Sequence, residues 1–373
     1  MDSRWLLTKA LLVCVAVQWL LGGIHAGACT SAIVSGNVAR DGRMMMWKHR
    51  DSGHPDNFVG KVEATDSTMA YVALFNAGDT EMKEAWIGFN SAGFAIMNTA
   101  SYNLAPDTAA VKDREGLVMS AALRQCRSVA DFAALLERCM ADGALGVQAN
   151  FGVTDSNGDA AYFETSDHDF SCFPLSKEPT RLLVRSNYSY SGGETGRLGE
   201  VRHDNALHLI AESLGRKMIT PETFTERMSR SFYHHGHGMD MARRGFRLLT
   251  DRGEYIPCRS SCASVVIESA LPGEDAASTT VMWVAIGFPA ASHVEAVTLD
   301  TIPPSLLPTA PRGRSRLCDE VNRRRQKAFP RKGKEGKWLV DMDYLRSVMP
   351  ECMEVSEEKY REGRKRRDRK RCH

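Results

Sequence analysis

Beyond its first 28 residues the sequence has no apolar run long enough to cross a bilayer, so no membrane-spanning helix is expected in the mature chain. It also has little that would hold a metal. Cys258-x3-Cys262 is the one close cysteine pair of the main body, and no histidine pair stands at ligand spacing beside it. Neither a metal nor an organic cofactor is expected. A strong charge of one sign is missing too: 48 Lys and Arg oppose 46 Asp and Glu, a net +2. No specific nucleic-acid partner follows from that balance. The charge is uneven, however, and the clustered basic residues gather between Arg312 and His373. With 43% hydrophobic and 25% charged residues the composition is that of a soluble globular protein. Residues 29–373 suffice for one large core or two modest domains.

The amino terminus carries the most information. Arg4 and Lys9 precede an apolar stretch from Ala10 to Leu21, and Ala26-Gly27-Ala28 supplies the small-x-small pattern read by a signal peptidase. A cut after Ala28 makes Cys29 the first residue of an exported protein, secreted or periplasmic. Such a cysteine has a thiol and a free α-amine whose pKa is about 8, so one residue provides nucleophile and base. Two other readings stay open. A lipid-anchor cysteine would need a large aliphatic residue three places earlier, which Ala26 is not. A disulfide half is the other, since exported proteins use them. Of ten cysteines, Cys14 lies in the leader and nine remain, so eight can pair and leave one free, as Cys29 would be.

Strand patterns at Cys29–Gly36, Met44–His49, Tyr71–Phe75, Ala85–Asn90 and Phe94–Met97 come first, the last two forming a hairpin. Apolar residues then recur at three and four through 113–142, predicting two helices broken near Ser128. Strands return at Gly146–Thr154, Ala160–Thr165 and Arg181–Ser186, followed by helices near Gly199–Leu214 and from Thr220. Ala263–Glu268 and Thr279–Ile286 are the last strong strands. Blocks of strands alternating with blocks of helices predict an α+β layered architecture. From 312 the composition breaks; Trp338, Leu339, Met342, Leu345 and Val348 suggest an amphipathic helix, and the charge run after it reads as a solvated tail or a polyanion contact.

Candidate chemistry lies one hairpin after Cys29, in Trp47-Lys48-His49-Arg50-Asp51-Ser52. Asp51, returning beside the first strand, can hold the amine of Cys29, and Lys48 and Arg50 can keep a thiol partly ionised. Ordinary surface charges in a turn are the alternative. Asn98 and Asn187 follow apolar strands and can donate to an oxyanion, although strand-end asparagines also serve as turn residues.

Taken together, these segments resemble a family. Cys29-Thr30-Ser31 with Lys48-His49-Arg50-Asp51-Ser52 is similar to the amino terminus of the choloylglycine hydrolase-like, linear-amide-hydrolysing branch of the N-terminal nucleophile superfamily. Gly88–Ala95 and Asn98–Asn103 resemble its hairpin and oxyanion segment. Phe151–Asp155, Tyr162–Thr165, Arg185–Tyr188 and Thr280–Pro289 look most like its acyl-coenzyme A:6-aminopenicillanic acid acyltransferase members, peptidase family C45. The likeness runs from Cys29 to about Val297.

That resemblance implies an α+β, four-layer αββα sandwich over residues 29–303; the basic, partly helical extension expected at 304–373 has no counterpart in it. It implies Cys29 as nucleophile, Asp51 as the amine-binding aspartate, Asn98 and Asn187 at the oxyanion hole, and Arg259 as a late active-site arginine. Lys48 stands where family members often carry arginine, keeping the charge but losing bidentate geometry. The expected activity is hydrolysis or acyl transfer at a linear amide of a small molecule or short peptide through a thioester. A dipeptidase on the same fold and a noncatalytic exported binding protein are the rivals, and a homo-oligomer is compatible with either.

Overall fold

The computed structural model describes residues 29–105, 108–310 and 313–371. The expected leader, residues 1–28, lies outside them, as does Cys372. Two antiparallel sheets face each other. The first joins β1 (Thr30–Val34), β2 (Met45–Asp51), β10 (Leu182–Arg185), β11 (Ser261–Glu268), β12 (Val281–Ile286) and β13 (Glu295–Val297) in the order β10-β1-β2-β11-β12-β13. The second is a meander with its strands in chain order: β3 (Asn57–Val62), β4 (Tyr71–Asn76), β5 (Ile87–Asn90), β6 (Ala95–Ala100), β7 (Ala149–Thr154), β8 (Ala160–Thr165) and β9 (Phe170–Pro174).

Three apolar clusters define the layers. Ile33, Met46, Met97, Tyr162 and Val265 meet between the sheets. Phe94, Phe151 and Phe163 of the seven-stranded sheet pack with Phe132 and Leu136 of the outer helices. These helices are α1 (Glu115–Gln125) and α2 (Val129–Ala141), and Ser128 and Asp131 form a capping box at the start of α2. On the opposite side Ala32, Trp47 and Trp283 pack under Ala206 and Ile210 of α3 (Glu200–Gly215), Phe224 and Tyr360. The result is α+β in four layers: helices, sheet, sheet, helices. Both faces of β1 and β2 are covered and every residue in them is buried, including Lys48, His49, Arg50 and Asp51 of β2, which therefore need partners inside the fold.

The C-terminal segment is built into this scheme. α4 (Arg316–Ala328) and α5 (Met342–Arg371) follow the sandwich. On α5, Tyr360 packs on Trp283 with ring centroids 4.7 Å apart and hydrogen-bonds Thr225. Arg367 pairs with Glu268 of β11 at 2.6 Å, both buried. Gly363 lets the helix approach, since a Cβ there would stand 2.6 Å from the Trp283 ring. The expected solvated tail is therefore corrected for its described part: apolar Trp283 needs a cover, and α5 provides it. Trp338–Asp341 is also a strand rather than the start of a helix, paired with Leu248–Thr250. No described helix is long and apolar enough to cross a membrane.

The cysteine pairing needs correction as well. All eight described cysteines are free thiols. Cys258 and Cys262, close in sequence, engage different partners: Cys258 Sγ lies 3.1 Å from Ser260 Oγ, and Cys262 Sγ accepts from Arg50 Nη1 at 3.2 Å.

Candidate active site

Cys29 lies immediately before β1, which pairs with β2 so that Thr30 faces His49 and Ser31 faces Lys48. The thiol is buried, with its sulfur 3.7 Å from the Asp51 carbonyl oxygen. Residues alternate along β2. Lys48 turns towards the second sheet, where its Nζ donates to Asn98 Oδ1 at 2.6 Å and to the Trp86 carbonyl at 2.7 Å. Because ammonium only donates, the Asn98 oxygen must face it, which leaves the Asn98 amide hydrogens as the donor end. Burial lowers the Lys48 pKa to about 8, against the opposing pull of the neighbouring Cys29 thiol.

Asp51 faces the other way, towards α3. Its Oδ1 accepts from Ser261 Oγ at 2.6 Å, while its Oδ2 is buried without a hydrogen-bond partner. Burial raises its pKa to about 7, although the Arg202 guanidinium pulls the other way. A buried carboxylate oxygen without a donor is costly and rare in a native fold.

Arg202 organises the site. Its Nη1 donates to the Cys29 carbonyl at 2.6 Å and to Thr30 Oγ1 at 3.1 Å, its Nη2 to Asn187 Oδ1 at 2.8 Å, and its Nε to the Gly253 carbonyl at 3.2 Å. Asn187, two residues beyond β10, in turn donates from Nδ2 to the Ala100 carbonyl at the end of β6. Lys48–Asn98 and Asn187–Ala100 thus fasten the two sheets on either side of Cys29.

Cys29, Lys48, Asp51, Asn98 and Asn187 are brought together through these contacts. Arg259 is not joined to them by any hydrogen bond or ion pair among the described residues. Its guanidinium lies 4.0 Å over the Trp338 ring, and its backbone N–H donates to Asp251 Oδ2 at 2.7 Å. Arg202 was not singled out from sequence. The signal was there: Arg202, Ala206, Ile210 and Ser213 are all buried along one stripe of α3, so the arginine sits at a core-facing position. Ser261, which braces Asp51, gave no signal beyond its place at a strand start. Among the described residues no group of three or more His, Cys, Asp or Glu is arranged to hold a metal ion.

No family model and no curated protein matches the chain. Solved structures do resemble it. A Caenorhabditis elegans N-acylethanolamine-hydrolyzing acid amidase ortholog superposes with a TM-score of 0.44 at 13% identity, over 64% of this chain and 92% of that one. A variant of the Clostridium perfringens conjugated bile acid hydrolase gives 0.44 at 9% identity, over 74% and 93%. Penicillin V acylase from Agrobacterium tumefaciens gives 0.40 at 12%, over 74% and 87%. At this level of likeness the functional reading rests on the site's own geometry.

Proposed function

We propose that the protein is an exported cysteine amidohydrolase of the N-terminal nucleophile type, acting on linear amides. One observation carries the reading: beside the buried Cys29 thiol, the carboxylate of Asp51 keeps one buried oxygen without a donor. An α-ammonium freed by cleavage after Ala28 is a donor of the right charge and chemistry for that oxygen.

In this reading the Cys29 amine takes the thiol proton and becomes the ammonium that Asp51 holds. The thiolate, in the field of Lys48, attacks the amide carbonyl. Asn98 and Asn187 donate to the developing oxyanion, their amides aimed by Lys48 and Arg202 respectively. The ammonium then protonates the departing nitrogen, leaving a thioester on Cys29. Water resolves the thioester, or a second amine captures it in the acyltransferase variant resembled by Arg185–Tyr188 and Thr280–Pro289.

Intact-mass analysis of active protein tests this reading. A mature form beginning at Cys29, labelled at that residue by an electrophilic thiol probe, is expected. An active species still carrying Ala28 would end it, because an amide nitrogen cannot take the thiol proton. A panel of N-acyl amino acids, penicillins, bile-acid conjugates and dipeptides then identifies the acyl and amine groups.

A further inference from the structure

His49 has no part in the mechanism above, yet it stands in the middle of a buried chain of hydrogen bonds that begins at Asp51. From Asp51 Oδ1 the chain passes to Ser261 Oγ at 2.6 Å and on to His49 Nε2 at 2.9 Å. From His49 Nδ1 it continues to Ser229 Oγ at 3.0 Å and to Ser264 Oγ at 2.7 Å, where Trp47 Nε1 also donates at 3.0 Å. Every one of these side chains is buried.

Three local features of the fold assemble the chain. Trp47, His49 and Asp51 alternate along β2 and so share its face towards the helices. Ser261 and Ser264, three apart on β11, would ordinarily face opposite sides. A bulge between Ser261 and Ala263 adds the extra residue that brings both onto the face of His49. A turn of π-helix at Thr223–Met228, closed by Ser229 N–H to the Phe224 carbonyl at 2.8 Å, delivers Ser229.

The donors in this chain cannot all be placed independently. Burial first, and then Arg202, hold the His49 pKa down to about 3, so the ring is neutral and has one N–H. Ser261 has one hydroxyl hydrogen and both Asp51 and His49 next to it. If Asp51 is ionised, that hydrogen goes to Oδ1, and His49 must donate to Ser261 from Nε2. If Asp51 carries a proton, Asp51 donates to Ser261 and Ser261 donates to Nε2. The imidazole hydrogen is then on Nδ1, facing Ser229, whose own hydrogen goes to Ser264.

We propose that Asp51 and His49 form a single titrating unit, in which the proton on Asp51 and the tautomer of His49 change together. One proton enters or leaves, the charge changes only at Asp51, and His49 stays neutral with its hydrogen on Nε2 or Nδ1. His49 is thus a positioning residue, acting on Asp51 through Ser261 and from Nε2 itself, which lies 3.5 Å from Asp51 Oδ1. Other charged or titratable groups face the unit: Arg202 from α3, Asp251 and Cys258 from the loop before β11, and Cys262 on β11. The consequence for catalysis rests on Asp51 as the amine-holding carboxylate: ammonium at Cys29 selects the Nε2–H form. The coupling itself does not rest on that reading.

The test is 15N NMR of the full chain labelled at histidine and carrying Cys29→Ala, so that turnover plays no part. The His49 signals are identified by their loss in His49→Gln. As the pH is raised through neutrality the two His49 ring nitrogens are expected to exchange their protonated and unprotonated signatures, with no cationic form appearing. Asp51→Asn, a permanent donor to Ser261, should lock the Nδ1–H tautomer at every pH. Ser261→Ala, which leaves only the 3.5 Å contact between His49 Nε2 and Asp51 Oδ1, should shift the pH at which the tautomer changes, and Ser229→Ala tests the link from the other side should that variant not fold. A His49 that keeps one tautomer across the range, or that becomes a cation, overturns the proposal. Loss of Cys29 as the nucleophile would leave this result untouched, so the two readings fail separately.

Discussion

Replacing Arg202 by Met tests the organisation of the site most severely. Met is similar in length and apolar, so the change removes the charge and the donors with little change of volume. It leaves the Cys29 carbonyl, the Gly253 carbonyl and Asn187 Oδ1 without the donor that now reaches each within 3.2 Å. Hydrogen bonds from a charged donor are worth about 1.5–3 kcal/mol each, but relaxation and water recover part of a multiple loss. Breaking one buried charged group out of its partners costs about 3–5 kcal/mol in practice, and that is the expected fall in unfolding free energy by urea titration. Kinetics should fall further than stability, because Asn187 loses the contact that aims it and Asp51 loses the cation that most lowers its pKa. The acid limb of kcat/KM is therefore expected to move to higher pH. Arg202→Lys should recover part of the stability but little of the rate, since one Nζ cannot span acceptors served by three nitrogens. An Arg202→Met enzyme with unchanged kcat/KM and an unshifted acid limb would refute this account of the site.

Three further outcomes are expected. Asn187→Ala should lower kcat about 10²–10³-fold with a smaller effect on KM, as for loss of one oxyanion donor, and a change in KM alone would make Asn187 a binding residue. Tyr360→Ala should cost about 3–5 kcal/mol by urea unfolding, as for a buried aromatic, and a loss below about 1 kcal/mol would mean that α5 is not part of the core. Before any cleavage, the raised Asp51 pKa means that the folded chain holds its proton where the unfolded chain has lost it. Wild-type stability should therefore fall relative to Asp51→Asn as pH rises from 3.8 to about 7, and a constant difference over that window would show that Asp51 is not buried as described.

Much of the sandwich was legible because burial on both faces makes strands such as β4 and β12 almost wholly apolar, although β2 carries four charged or polar residues in a row. β1, β2, β4, β7, β8, β11 and β12 all stand near their expected places, as do α1, α2 and α3. The elements that were missed have weaker local signals. β3 contains Gly60 and a lysine, β9 is only partly buried, and α4 is so rich in arginine that its apolar stripe is reduced to Leu317, Val321 and Ala328. Of the expected helix stripe, Met342, Leu345 and Val348 do lie on α5, whereas Trp338 and Leu339 belong to a four-residue strand, too short for its period to be told from a helix. In the candidate site, Cys29 was legible from the small-x-small pattern before it, and Lys48 and Asp51 from their place together one hairpin later. Arg202, Ser229 and Ser261 reach them only through the packing of α3, the π-turn and the bulged strand, none of which short motifs encode.

The covering of Trp283 has a consequence for how the chain reaches its final form. β12 is complete well before α5, so while the sandwich is assembling the indole lacks the part of its cover that Tyr360 supplies. Until the last helix docks, the apolar edge it covers around Trp283 is open to intermolecular association. Variants that delay or weaken that docking should therefore reduce the yield of folded protein more than they reduce the activity of the molecules that succeed.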